Sequence, residues 1–292
     1  MQKPSPIDAL SSHDHSLVNR ISSLSLAPRT VICWPIWAAD ISRPMATLGA
    51  VDLSTTLRWR PRSGRSPAEK IASMAEVLII SGAGCYSDPW HSFADTSQRL
   101  TKIISELGHD VTVSEAVEQA LAEPGEPDLI VINIGNPREA RPQSRIDAAE
   151  RGLDRHLQRG GALFGVHVSA TSLTTMAGWS QMLGGHWVRG RTMHPQQDLA
   201  TILVRSGAHP IVRGLADFTV FDERYSDLHT NPDITVLCEH FTDGRLHPIV
   251  WARESGLARV VYDGLGHDIR SYQSPGHVEL LRRAAGWLLG DF

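Results

Sequence analysis

The sequence predicts a doubly wound α/β fold with a mostly parallel sheet. Short β-rich apolar runs are followed by helical spacings of apolar residues, and this strand–helix unit occurs four times from residue 76 onward. Runs such as LIVINI at 129–134 are apolar at nearly every position, as in strands that helices cover on both faces. Repeated strand–helix units favour parallel pairing of the strands in one layered domain.

The predicted elements follow in chain order. The first strand spans 76–82, and the helix after it has apolar positions from Leu100 to Leu107 and ends at Gly108. The next units are a strand at 109–115 with a short helix, a strand at 128–135 with a helix over about 144–158, and a strand at 160–167 with a helix near 174–183.

Beyond Gly184 the β-rich pieces become shorter. They lie at 199–205, 234–240, 248–253 and 258–266, and a helix at about 276–289 ends at Gly290. We expect these pieces to extend the same sheet and to form a lobe over its edge, since no linker rich in glycine, serine or proline separates a second domain.

Residues 1–73 differ from the rest of the chain in composition. They contain nine lysines and arginines against five acidic residues, are rich in serine and proline, and show no sustained apolar period. We therefore predict a disordered or poorly packed extension at 1–73 and one folded domain at 74–292, with Met74 as a candidate translation start.

Composition excludes several function classes. The 292 residues carry a net charge of −4 without a basic face, so nucleic acid is not expected as a partner. No apolar run approaches the ~20 residues that span a bilayer, and a membrane partner is not expected either. Three cysteines are too few for a disulfide framework, which favours a reducing compartment and a cytoplasmic location.

Ligand sites of doubly wound folds lie outside the carboxyl ends of the strands. After the first strand, Gly82 and Gly84 lack the third glycine of a dinucleotide motif, so a tight turn is favoured.

The fourth strand ends at His167, where a nucleophile elbow would place its reactive side chain. An imidazole can be a base, an acid or a metal ligand, but it is a poor substitute for a thiolate. Cys85 fits a structural thiol better than a nucleophile.

Histidines beside glycine or proline in loops are the strongest compositional signal. They include His194, His209 and His267, and His267 is followed by Asp268, a carboxylate that could tune a proton transfer. No tight ligand spacing such as HExxH occurs, so a metal site would have to be assembled from distant loops.

Acidic and aromatic side chains complete the candidates. Asp222 and Glu223 lie close to Tyr225, where a carboxylate could act as an acid or base or bind sugar hydroxyls; an ion pair with Arg224 is the alternative. Trp90 could stack on a sugar ring, although tryptophan is more often packed in a core.

The stretch from Val77 to Leu289 resembles the trehalose-utilisation (ThuA-like) family of the class I glutamine-amidotransferase-like superfamily. The resemblance is carried by GGALFGVH (160–167), MLGGHW (182–187), His194-Pro195, HPIVRGLADFTVFDERY (209–225), LHPIVWAR (246–253) and GLGHD (264–268). It implies a flavodoxin-like fold and a role in carbohydrate metabolism, linked to trehalose, related disaccharides or keto-sugar derivatives. It also implies that the cysteine nucleophile of the superfamily is absent, with His167 at its position.

The resemblance and the strand-end residues together give the expected site. The expected catalytic residues are His167, Glu223, His267 and Asp268. The expected substrate-binding residues are Tyr86, Trp90, His194, His209 and Tyr225. A cofactor is not determined; for a divalent metal such as zinc the candidate ligands are His167, His194 and His267.

We expect an enzyme, a hydrolase or a lyase, that acts on a disaccharide or a keto-sugar derivative. A small carbohydrate is the expected partner, and the sequence leaves homo-oligomer formation open. Two alternatives stay open as well: a non-catalytic sugar-binding or regulatory domain, and a glutaminase that acts through Cys85.

Overall fold

The computed structural model describes residues 74–292 apart from Ser206 and Ala208. The prediction for residues 1–73 lies outside the described residues and stays a prediction. No helix in the described part of the chain is long and apolar enough to cross a membrane.

Strands and helices alternate in the first half of the described residues, as the sequence predicts, and the second half consists mainly of strands before a final helix. The strands are β1 (Glu76–Ser81), β2 (Asp110–Ser114), β3 (Leu129–Asn133), β4 (Ala162–Val166), β5 (Gly185–His186), β6 (Asp198–Val204), β7 (Phe218–Asp222), β8 (His229–Thr230), β9 (Thr235–Thr242), β10 (Arg245–Ser255) and β11 (Ala258–Asp263). The helices are α1 (Phe93–Ser105), α2 (Val117–Ala122), α3 (Gln143–Gln158), α4 (Ser169–Ser172), α5 (Trp179–Leu183) and α6 (Pro275–Leu289).

Within the described residues one nine-stranded sheet has the order β2-β1-β3-β4-β11-β10-β9-β6-β7. The strands from β2 to β11 in this order pair in parallel, and the remaining strands extend the sheet by antiparallel pairing. The predicted α/β fold class and the extension of the same sheet by the later strands are thus confirmed. Two-residue loops join β9 to β10 and β10 to β11, and a loop this short can join only antiparallel neighbours. Asp243 and Gly244 join β9 to β10 with φ of +51° and +78°, as the Asp-Gly pair of a hairpin turn requires.

Helices cover both faces of the parallel part of the sheet. On β3, Leu129 and Val131 point into a core shared with α1 and α6, whereas Ile130 and Ile132 point into a second core shared with α2, α3 and α5. All four side chains are fully buried. The continuous apolar run that predicted this strand follows from burial on two faces.

The prediction of a helix near 174–183 is wrong for the first half of that range. The chain forms the single turn of α4, ending at Ser172, and resumes helical structure only at Trp179. The start of α5 depends on a distant side chain, because Glu150 of α3 accepts a hydrogen bond of 2.6 Å from the backbone N–H of Gly178. Strands β5, β7 and β8 are additions to the predicted elements.

Two buried histidines lie side by side on the antiparallel strands. The rings of His240 on β9 and His247 on β10 are stacked with centroids 5.2 Å apart. Nε2 of His240 donates a hydrogen bond of 3.0 Å to the carbonyl oxygen of Tyr225. Burial lowers the pKa of His240 to about 4, and the Tyr225 carbonyl offsets this effect only in part. His240 is therefore neutral in the folded protein near pH 7.

The low pKa of His240 predicts a loss of stability on acidification. The unfolded chain binds this proton near pH 6.5 and the folded chain only near pH 4, so between these values protons favour the unfolded state. We expect the free energy of unfolding to decrease from pH 7 to pH 5, and to decrease less in His240→Gln. Urea unfolding at several pH values measures this slope. His229→Gln changes an exposed histidine and serves as the control; equal slopes for His240→Gln and the unmodified protein would contradict the prediction.

Candidate functional site

Four side chains from distant parts of the chain meet where the strands of the sheet end. His91 lies in the loop after β1, His167 directly follows β4, Glu223 directly follows β7, and His267 lies in the loop after β11. Each of them offers one ligand atom, and these atoms all lie within 4.8 Å of one another. Three imidazoles and one carboxylate form a donor set that suits Zn²⁺ and related divalent ions.

His167 is held in an uncommon backbone conformation. Its φ of +44° is left-handed, which costs a non-glycine residue roughly 1–2 kcal/mol. Strand β11 and the residue after it fix it through three hydrogen bonds: the His167 N–H donates to Asp263 O (2.7 Å), Nδ1 donates to Gly264 O (2.8 Å), and the Tyr262 hydroxyl donates to the His167 carbonyl (2.9 Å). Because Nδ1 carries a proton, Nε2 presents a free lone pair when the ring is neutral. This Nε2 is buried without a hydrogen-bond partner in the described structure.

His91 is oriented by a carboxylate. Its Nδ1 lies 2.8 Å from both carboxylate oxygens of Asp88. A carboxylate behind a histidine is the usual partner of a metal-binding imidazole. Nε2 of His91 is buried and has no hydrogen-bond partner among the described residues. Burial, assisted by the neighbouring His167, lowers the pKa of His91, so the imidazole is in the neutral form that binds metal.

Glu223 lies among the imidazoles. Its Oε2 is 3.6 Å from Nε2 of His167, and its Oε1 is 3.8 Å from Nε2 of His267 and 3.6 Å from Nδ1 of His194. Burial acts to raise the pKa of Glu223, but the three histidines outweigh it and lower the pKa to about 2. Glu223 is therefore anionic at neutral pH.

The protonation states of the other two imidazoles differ. Burial and the adjacent His167 lower the pKa of His267 to about 4. For His167, burial acts in the same direction, but Glu223 and Asp222 outweigh it and raise the pKa. In the ion-free protein His267 is therefore neutral near pH 7, whereas the positive form of His167 is favoured, and a divalent ion would displace the proton that His167 holds.

Three further residues of the predicted site lie beside this group. The buried ring of Tyr225 stacks on His167 with centroids 4.4 Å apart. The His194 side chain is 40% exposed, lies against Glu223 and has Trp187 nearby. Trp90 is 72% exposed and precedes His91 directly.

Asp268 and Tyr86 have other partners. The Asp268 carboxylate accepts hydrogen bonds from Arg270 and Gln197 and makes no hydrogen bond to the ring of His267 in the described chain. The predicted adjacent pair of imidazole and carboxylate is therefore not formed. The Tyr86 side chain is buried, and its hydroxyl donates a hydrogen bond of 3.0 Å to Glu118.

His209 lies at the opposite edge of the sheet. Its ring contacts Trp287 of α6, with centroids 4.9 Å apart. The guanidinium group of Arg259, at the start of β11, lies over the same tryptophan, whereas the candidate site follows the end of β11. The structure thus does not bring His209 to the four-residue group.

His91 is not among the site residues that the sequence predicts. This residue lies in a loop of glycine, serine and proline, ten positions after β1 ends at Ser81. The pattern Asp88-Pro-Trp-His91 was the available signal, because an aspartate three positions before a histidine can orient its ring.

Cys85 lies outside the group. It is half-buried in a short 3-10 turn (Gly84–Tyr86) and packs against an apolar core. In the part of the chain that the structure describes, its thiol has no hydrogen-bonded histidine, and the nucleophile–base pair of a cysteine amidase is not formed there.

The chain is similar to known proteins over the whole described sheet. The family model for trehalose utilisation (ThuA) matches residues 76–288. A ThuA-like protein from Parabacteroides merdae is 20% identical, with a TM-score of 0.62 over 75% of this chain and 91% of that chain. One from Bacteroides uniformis is 18% identical, with a TM-score of 0.59 over 77% and 95%. A cytoplasmic protein from Salmonella typhimurium is 12% identical, with a TM-score of 0.51 over 73% and 99%. No curated protein matches.

Proposed function

The chain belongs to the ThuA (trehalose utilisation) family, and from this premise we propose that it is a divalent-metal-dependent enzyme that acts on a disaccharide or a keto-sugar derivative. The observation that carries the proposal is the convergence of His91, His167, Glu223 and His267, with ligand atoms within 4.8 Å of one another. Membership of the family supports a sugar as the substrate, and the set of donor atoms supports a bound divalent ion.

Buried histidine nitrogen atoms without a hydrogen-bond partner support the proposal of a bound metal ion. Nε2 of His91 and Nε2 of His167 are both buried without a hydrogen-bond partner among the described residues. Leaving a buried polar group unpaired costs about 1–3 kcal/mol, so two such atoms in one group with the Glu223 carboxylate indicate a missing partner. A bound divalent ion would act as a Lewis acid on a sugar oxygen or lower the pKa of a water.

The other nearby side chains suit substrate binding and proton transfer. Tyr225 forms the buried wall behind His167, and the exposed indole of Trp90 offers an apolar face to a sugar ring. His194 lies against Glu223 and is exposed enough to exchange protons with a substrate. A cytoplasmic location stays a prediction.

Metal analysis together with a turnover screen tests this function. We expect about one zinc or other divalent ion per chain, and turnover of a disaccharide or keto-disaccharide that falls at least about tenfold on chelation, because a Lewis-acid ion supplies several kcal/mol of transition-state stabilisation. Adding the ion back should restore turnover.

Two controls separate the alternatives. Cys85→Ala should keep full turnover; loss of turnover together with glutamine-dependent ammonia release in the unmodified protein would favour a glutaminase. Sugar binding without turnover, at any metal content, would favour a non-catalytic domain and contradict the proposal.

A further inference from the structure

Asp222 is a fully buried carboxylate at the end of β7. Its Oδ1 accepts hydrogen bonds from the backbone N–H groups of Glu223 (2.8 Å) and His267 (3.2 Å), and its Oδ2 accepts one from Gly266 (2.7 Å). Two of these three donors belong to residues of the four-residue group itself. Asp222 thus ties together two segments that are far apart in sequence and that each deliver one candidate ligand.

The loop that Asp222 holds has little freedom of its own. Gly266 has a φ of +108°, and a Cβ at this position would lie 3.0 Å from the Tyr272 hydroxyl oxygen. Position 266 of this loop therefore requires glycine. The backbone N–H groups of residues 266 and 267 both donate to the Asp222 carboxylate. The position of the His267 ring depends on these two hydrogen bonds.

Backbone groups, and no basic side chain of the described residues, bond directly to the Asp222 carboxylate. Among the described residues no lysine, arginine or histidine side chain forms an ion pair with it, and its hydrogen bonds come from neutral backbone groups. A buried charge without a partner is costly. A divalent ion at the adjacent ligand cluster would supply positive charge close to this carboxylate.

We infer that Asp222 is a positioning residue of the metal centre, which fixes the backbones of Glu223 and His267 and supplies negative charge behind the bound ion. This inference rests on the proposed function, because it requires that the four residues bind a divalent ion. Partners behind metal ligands typically change metal affinity by 10–100-fold when they are removed.

Asp222→Asn tests the inference. The amide has one acceptor oxygen, so its NH₂ group meets a backbone N–H whichever way it is placed. We expect the zinc Kd, measured by competition with a chromophoric chelator, to increase by about 10–100-fold. The visible spectrum of the Co²⁺-loaded protein should also change, because the ligand geometry changes; a role in folding alone would leave that spectrum as it is.

Glu118→Gln is the matched control. Glu118 is also a buried carboxylate, held by Arg141 and the Tyr86 hydroxyl, and it contacts none of the four ligands. We expect it to lower the melting temperature without changing the zinc Kd or the Co²⁺ spectrum. If D222N does not fold by circular dichroism, D222S, which keeps one acceptor oxygen, provides the same two readouts.

The outcomes separate this inference from the proposed function. Equal zinc affinity and an equal Co²⁺ spectrum in folded D222N and the unmodified protein would overturn the role of Asp222 alone. A weakening by E118Q as large as that by D222N would also overturn it. No zinc or Co²⁺ binding by the unmodified protein would overturn the proposed function and this inference with it.

Discussion

Replacing Glu223 with glutamine is expected to weaken zinc binding by more than about 100-fold, because even the outer partners of metal ligands change affinity by 10–100-fold. The substitution keeps the size of the side chain and removes the one anionic ligand of the group. Turnover of the sugar substrate should fall with the bound ion. Calorimetric titration of the ion-free protein with zinc measures the affinity.

Asp268→Asn is the control for this prediction. Asp268 is the neighbour of His267, but its carboxylate is engaged by Arg270 and Gln197. The zinc affinity of this variant should equal that of the unmodified protein. A full loss of zinc binding in Asp268→Asn, with normal binding in Glu223→Gln, would place the ion elsewhere and contradict the assignment.

His277→Leu is expected to lower the free energy of unfolding by about 3–5 kcal/mol, the usual effect of breaking a buried ion pair. His277 is completely buried on α6, and its Nε2 lies 2.8 Å from Oδ2 of Asp263. Removing the imidazole leaves the buried Asp263 carboxylate without its ionic partner. For a domain of this size the melting temperature should fall by roughly 6–20 °C, as scanning calorimetry can measure.

The pH dependence and a second substitution check the cause. Burial acts to lower the pKa of His277, but Asp263 outweighs it and raises the pKa. The stabilisation is therefore complete below about pH 6.5 and is lost as the pH rises through the raised pKa. Adding Asp263→Leu to His277→Leu should restore part of the stability, since an apolar pair often replaces a buried ion pair at little cost. A double variant that is less stable by the full sum of both single effects would exclude coupling.

The parallel part of the fold could be predicted because the apolar pattern of each strand lies within a short stretch of the sequence. Leu129 to Ile132 alternate between two cores, so both sets of side chains are apolar and the strand is visible in the sequence alone. Strand β7 was missed because it is an edge strand with one neighbour, an exposed Thr219 and a half-buried Phe221. The start of α5 was missed because it depends on Glu150, a residue of another helix.

The candidate site could be predicted in part for the same reason. His167 and His267 follow strands that are visible in the sequence, so their position at the carboxyl edge of the sheet could be inferred. Asp268 was expected to orient His267 because it is adjacent in sequence; Asp222, 45 positions away, binds the backbone of His267 instead. His91 lies in an irregular loop, and only the three-dimensional fold places its Nε2 near the other ligand atoms.

The four candidate ligands belong to four separate segments, from position 91 to position 267. An ion bound to all of them would act as a reversible cross-link between the loops, and opening any one loop would require release of the ion. Loaded protein should therefore resist protease cleavage in the exposed Trp90 loop and exchange its backbone amide protons more slowly there than ion-free protein. Metal supply in the cell would then control how long the molecule survives as well as what it does.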